Sequence, residues 1–208
     1  MALDLEDQEQ LDEFKVWWNK YGKLTINIVL ALLLVYVAWQ GYQYMQHQKA
    51  VEASDLYQKL VQLDSKKADL VKSEGAKLMN DYTSTPYAGR AAVLLAKTSF
   101  QSDDIKSAKS QLEWAIANAQ EDAVKAIARL ELSTILLSEK DYEGAERLLT
   151  GDIDPGYIGL KDSLVGDVYI AQGKSAEAKQ AYENALEKLD RDGRLYSLTQ
   201  QKLDALGS

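Results

Sequence analysis

The sequence predicts an all-α protein: a single N-terminal transmembrane helix, then a solenoid of helical hairpins with a C-terminal capping helix. The first observation behind this is the stretch from Leu24 to Gln46, "LTINIVLALLLVYVAWQGYQYMQ", which carries no charged side chain. The second is that beyond His47 the chain turns charged and rich in Ala and Leu, with apolar residues at helical period and no alternating strand pattern. The third is a recurrence of small residues, with Ala108, Ala145 and Ala178 spaced 37 and 33 residues apart.

The apolar stretch is densest from Ile26 to Trp39. At 1.5 Å per residue, about 20 such residues cross a hydrocarbon core of about 30 Å, so the segment is long enough to span once. A buried core helix seldom lacks charge for so long. The flanks also carry aromatic belts, Trp17, Trp18 and Tyr21 before and Tyr36, Trp39, Tyr42 and Tyr44 at the far end. A cleaved signal peptide fits poorly, because the run is too long and bulky Tyr, Gln and Met follow it. The helix therefore reads as a retained anchor, touching membrane lipid.

Orientation follows from Lys and Arg near the two ends. Lys15, Lys20 and Lys23 precede the helix and Lys49 and Lys59 follow it within a comparable distance, a slim majority for an N-terminus inside. The acidic run "LDLEDQEQLDE" counts for little in this rule. The expected divisions are a cytoplasmic tail over 1–23, the transmembrane helix over 24–46 and an extracytoplasmic repeat domain over 47–208, periplasmic if the source is a Gram-negative bacterium.

In the domain that follows, turn signals fall at "STPYAG" (84–89), "QSDD" (101–104), "SEKD" (138–141), "GDIDPG" (151–156), "AQGK" (171–174) and "DRDG" (190–193). They separate helices of a dozen or so residues. Helices over about 48–63 and 66–82 are expected to form a divergent hairpin that begins the stack. Each of the three recurring alanines opens the same kind of helix. Twelve residues before them stand the small residues Ala96, Ser133 and Gly166, each preceded by an apolar one, Leu95, Leu132 and Val165. Four residues after them come Leu112, Leu149 and Tyr182.

A period of about 34 residues, with small residues where two antiparallel helices meet, resembles the tetratricopeptide repeat. The third copy, "VGDVYIAQGKSAEAKQAYENAL", matches best, with Gly166, Tyr169, Gly173, Ala178, Tyr182 and Ala185 on the family pattern. The first two copies have Ala96 and Ser99, and Ser133 and Leu136, where the third has its glycine and tyrosine, which leaves another helical-hairpin solenoid open. The small residues let helices pack and the tyrosines fill the space beside them. The last segment, "RLYSLTQQKLDAL", with Leu195, Leu198, Leu203 and Leu206 on roughly one side, is expected to cap the far end.

Composition narrows the function. A net charge of −8 without a basic cluster speaks against nucleic acid, whose affinity comes from clustered Lys and Arg. There are no cysteines and one histidine, His47, which reads as an interfacial polar residue. "SDD" and "DRDG" do not continue into the spaced oxygen ligands of a calcium loop. With no nucleophile and base arrangement and no phosphate-cradling loop, no enzyme activity, metal or cofactor is expected, and the domain reads as a protein-binding module.

The first helices of such hairpins line a surface that holds extended or helical peptides. Carrying the family's groove positions onto this register points to Arg90, Val93 and Lys97, then Ile127, Leu130 and Thr134, then Leu160, Ser163 and Asp167. For each, ordinary exposed helix surface is the competing reading.

The order of parts, acidic tail, "WWNKYGK", one anchor helix and an Ala-rich repeat domain, resembles the YfgM-type ancillary subunits of the bacterial SecYEG translocon. The resemblance implies a single-pass inner-membrane protein with a cytoplasmic N-terminus and a periplasmic repeat domain. It further implies association with the translocon and with PpiD, a membrane-anchored periplasmic chaperone, in handling newly translocated secretory or envelope clients. Two other readings stay open: a tetratricopeptide scaffold for another envelope assembly such as a pilus or cell-wall complex, and a regulator acting through the cytoplasmic tail.

Overall fold

The charge-free stretch lies inside a single long helix, α1 (Ala2–Gln62), in the computed structural model of the chain. The structure describes the backbone of residues 2–63 and 68–207 and the side chains of residues 10–63 and 69–207. Tail, span and the first hairpin helix, expected as successive segments, are continuous in α1. The reason is visible in the sequence: residues 24–62 hold no proline, one glycine (Gly41) and no cluster of turn formers. By contacts the chain divides into two compact units, Met1–Gln48 and Lys49–Ser208.

In the first unit the apolar side chains of the charge-free stretch are exposed among the described residues. Leu34 and Val35 are 71% and 68% exposed, and among the described residues α1 is the one helix long and apolar enough to cross a membrane. Ahead of the apolar stretch, Phe14, Trp17, Trp18 and Tyr21 form a ladder of rings along successive turns, with centroids 5.9 to 6.2 Å apart. Lys20 lies over the Tyr21 ring. Amphipathic rings of this kind favour the boundary between hydrocarbon and water.

The second unit holds the last turns of α1, then α2 (Ala68–Asp81), α3 (Pro86–Gln101), α4 (Ile105–Asn118), α5 (Asp122–Ser138), α6 (Tyr142–Leu149), a single 3₁₀ turn (Pro155–Tyr157), α7 (Ile158–Ala171), α8 (Ser175–Lys188) and α9 (Arg194–Asp204). The described residues contain no strand. The expected start of the second helix at 66 lies outside them. Ala53 and Leu60 of α1 pack with Val71 and Leu78 of α2 and with Ala91 and Leu95 of α3, so the hairpin ahead of the repeats joins the stack as expected. Two further apolar clusters follow, one shared by α3, α4 and α5 and one by α5, α6 and α7.

Three hairpins recur with one geometry. Each first helix ends on a residue in the left-handed region, Asp103 (φ 61°), Lys140 (φ 66°) and Gly173 (φ 78°), at the same 37- and 33-residue spacings as the alanines. The next N–H then reaches back to a carbonyl inside the helix, Asp104 to Ser99, Asp141 to Leu136 and Lys174 to Tyr169, each at 2.9 Å. These bonds satisfy carbonyls that a helix end leaves free. Asp104 and Asp141 also cap the following helices, accepting from the N–H of Ser107 and of Gly144.

The small residues stand where two helices come closest. Ser133 is fully buried and its hydroxyl lies 3.4 Å from the Ala145 carbonyl across the second hairpin. In the third, a Cβ on Gly166 would overlap the Tyr182 ring, so only glycine admits that ring.

Candidate functional site

The first helices of the three hairpins, α3, α5 and α7, form one face together with α9. Two clefts open on it. A cleft of about 290 Å³ lies between α3 and α5, bounded by Lys97, Phe100, Glu131, Thr134 and Ile135 and floored by Ala96 and Leu112. A second, of about 280 Å³, lies between α5, α7 and α9, bounded by Leu130, Glu131, Thr134, Leu160, Ser163, Leu164 and Asp167 and on the α9 side by Leu195, Leu198, Thr199 and Lys202. Glu131 and Thr134 border both.

The nine positions expected in the groove divide accordingly. Lys97 borders the first cleft, Leu130, Leu160, Ser163 and Asp167 the second, and Thr134 both. Arg90, Val93 and Ile127 line neither. Arg90 is held by Glu121, with Nε and Nη2 donating to the carboxylate at 2.7 and 2.6 Å, and its guanidinium lies over the Tyr87 ring. That two-pronged pair locks the start of α5 to α3 and raises the Arg90 pKa, first through the hydrogen bonds to Glu121. Val93 packs against the core shared by α3, α4 and α5.

Several of the lining residues are spoken for within the fold. Leu130 is 5% exposed. The Ser163 hydroxyl is buried against Thr199 at 3.0 Å. Asp167 accepts from the Tyr182 hydroxyl at 2.8 Å and from Lys202 Nζ at 2.7 Å. Burial, with Asp167 as hydrogen-bond acceptor behind it, pushes the Tyr182 hydroxyl above its ordinary pKa.

α9 packs against α8 at the end of the stack, as expected of a cap, and it also borders the second cleft. Its most buried residue is Thr199 at 1%, while Leu195 and Leu198 stay half-exposed along the second cleft. It therefore contributes a wall to the groove. The register missed this wall, and it missed Phe100 and Glu131. An isolated Glu inside the apolar run "ARLELSTILL" was the available signal.

Glu131 is electrostatically conspicuous. Burial raises its pKa, the nearby Lys97 opposes this, and no hydrogen bond or ion pair reaches its carboxylate from another described residue. A carboxylate so placed holds its proton more tightly in the native state than in the unfolded chain. The stability it contributes is present below the unfolded pKa and is lost as pH rises through the higher native value. At neutral pH the ionised group is a cost. Glu131→Gln is expected to raise the melting temperature at pH 7 by roughly 1–3 °C, an advantage that shrinks as pH falls through the raised native pKa and is gone by about pH 4, the unfolded value. Differential scanning calorimetry at the two pH values checks both the size and the trend.

Among the described residues no group of three or more His, Cys, Asp or Glu side chains is arranged to hold a metal ion. What the face offers is apolar clefts with a few polar groups at their borders, an arrangement with room for apolar side chains.

The sequence model of the family described as "Tetratricopeptide repeat-like domain" matches residues 15–208, taking in the apolar helix with the repeats. A protein of Neisseria gonorrhoeae named "Ancillary SecYEG translocon subunit" is 32% identical over 208 residues, covering 99% of this chain and 100% of its own. The chain belongs to the ancillary SecYEG translocon subunit family. Proteins of the same name from Haemophilus influenzae and Escherichia coli are 24% and 23% identical over 89% and 99% of this chain, and over 91% and 99% of their own lengths. In this family member the similarity to the Neisseria gonorrhoeae and Escherichia coli proteins spans both units.

Proposed function

We propose that the chain is an ancillary subunit of the SecYEG translocon that handles newly translocated proteins by binding polypeptides, in company with a PpiD-like membrane-anchored chaperone. The apolar part of α1 crosses the inner membrane once, the N-terminus faces the cytoplasm and the repeat unit lies in the periplasm. The observation that carries the reading is the pair of clefts on the α3–α5–α7–α9 face, in a chain whose relatives are named for the translocon along their whole length. The slim lysine excess before the span supports the orientation.

Tethering makes weak contacts sufficient. A groove held at the membrane meets emerging chains at an effective concentration set by the tether, reaching about the millimolar range for short flexible links. Photo-crosslinkers placed at Lys97, Thr134 and Leu198 in intact inner membranes are expected to capture translocon subunits, the chaperone or secreted proteins. Products drawn only from an unrelated envelope assembly, or no product at all, overturn the proposal. Protease accessibility in spheroplasts decides the orientation independently: the repeat unit is expected to be digested and the tail spared.

A further inference from the structure

The groove is divided by Glu131, whose carboxylate makes no hydrogen bond or ion pair with another described residue and feels Lys97 only through space. On one side of Glu131 stand Phe100, 50% exposed at the end of α3, and Ile135. On the other stand Leu130, Leu160, Leu195 and Leu198, the last two 44% and 46% exposed. The carboxylate belongs to the borders of both clefts and has no hydrogen-bonding partner among the described residues.

We propose that the groove selects polypeptide segments in which a Lys or Arg lies between two apolar side chains, the apolar groups entering the two clefts and the cation meeting Glu131. The inference rests on the reading of this face as a polypeptide-binding groove and adds what it recognises. A carboxylate withdrawn from water makes a stronger interaction with an incoming cation than an exposed one, because its desolvation cost is met in the fold before the partner arrives. Two apolar contacts on either side exclude water from the pair and give the complex its area.

The other charges in the groove decide the sign. Asp167 and Lys202 lie across the second cleft and are committed to each other at 2.7 Å. Lys97 of α3 is exposed, acts on Glu131 through space, and donates no hydrogen bond to it. Solvent around this exposed lysine screens its interactions, so the withdrawn carboxylate dominates selectivity. Because burial raises the Glu131 pKa from its ordinary value, the preference for a cation is expected to fade on acidification sooner than an exposed Glu would make it.

The test uses the full chain in nanodiscs of zwitterionic lipid and short fluorescein-labelled peptides read by polarisation. One peptide carries a Lys between two Leu residues. In its variants the Lys becomes Gln or Glu, or both Leu residues become Ser. The Lys peptide is expected to bind at least about tenfold more tightly than the Glu peptide, a coupling of about 1.4 kcal/mol. Glu131→Gln is expected to erase the Lys-over-Gln preference while binding that depends on the Leu residues remains. Lys97→Met is expected to strengthen the Lys peptide. Equal binding of the Lys and Gln peptides, a preference that survives Glu131→Gln, or a Glu preference lost in Lys97→Met each overturns the cation inference and leaves the groove reading standing. If no Leu-bearing peptide binds whatever its charge, the groove reading falls with it. Circular dichroism of each variant confirms that the helices are retained.

Discussion

Replacing Tyr182 by Ala is expected to lower the stability of the repeat unit by about 3–5 kcal/mol, the range for removing a large aromatic side chain from a core. The ring is 2% exposed and lies in the slot that Gly166 leaves open, where any Cβ would collide with it. Truncation empties that slot, and the surrounding helices, packed against one another, relax into it only partially. It also strips Asp167 of the hydroxyl that donates to it at 2.8 Å, although Lys202 remains. Tyr182→Phe separates the two contributions. It keeps the ring and is expected to cost only about 1 kcal/mol, the net worth of a typical hydrogen bond. Urea denaturation of both variants, followed by circular dichroism, measures the difference. A loss below about 1 kcal/mol in Tyr182→Ala means that the third hairpin is not held by this ring.

That prediction draws on the part of the fold most legible in the sequence. Ala108, Ala145 and Ala178 with Ala96, Ser133 and Gly166 carry the repeat because each marks a backbone approach that larger residues obstruct, and such constraints leave their trace at fixed spacing. Turn positions were legible for the same reason, even where Asp103 and Lys140 take the left-handed conformation that Gly173 takes without strain. The continuity of α1 was less so, since the change from apolar to charged residues after His47 marks a change of surroundings and not of backbone geometry. Side-chain pairing was invisible. Arg90 and Glu121 are 31 residues apart and meet only because α3 and α5 lie side by side, so a residue expected to await a partner already has one. The periodicity of the α9 leucines marks the helix as a cap and does not say how deeply each leucine is covered. Leu195 and Leu198 stay half-exposed because the helix settles on Thr199, whose hydroxyl pairs with Ser163. Glu131 lies one residue beyond the expected Leu130, where α5 turns toward α3, and one register position was enough to miss it.

The second large effect concerns the anchor. Substituting Leu32 and Val35 together by Lys, near the middle of the charge-free stretch, is expected to release the chain from carbonate-washed membranes. A Lys at the centre of a spanning helix costs about 2.5–3.5 kcal/mol on insertion scales, so the pair costs about 5–7 kcal/mol, or roughly four to five orders of magnitude in the partition between inserted and uninserted chain. Snorkelling relieves such charges when they lie near a helix end, which is why central positions are the informative ones. Both side chains are exposed in the first unit, 64% for Leu32 and 68% for Val35, so the cost falls on the bilayer and not on packing inside the protein. The buried clusters of the second unit begin at Ala53, and its thermal transition is expected to persist in the released chain. The combination is diagnostic. A doubly substituted chain that stays in the washed membrane is held there by something other than this helix, whereas a released chain that no longer crosslinks to the translocon shows that the groove depends on the anchor for proximity.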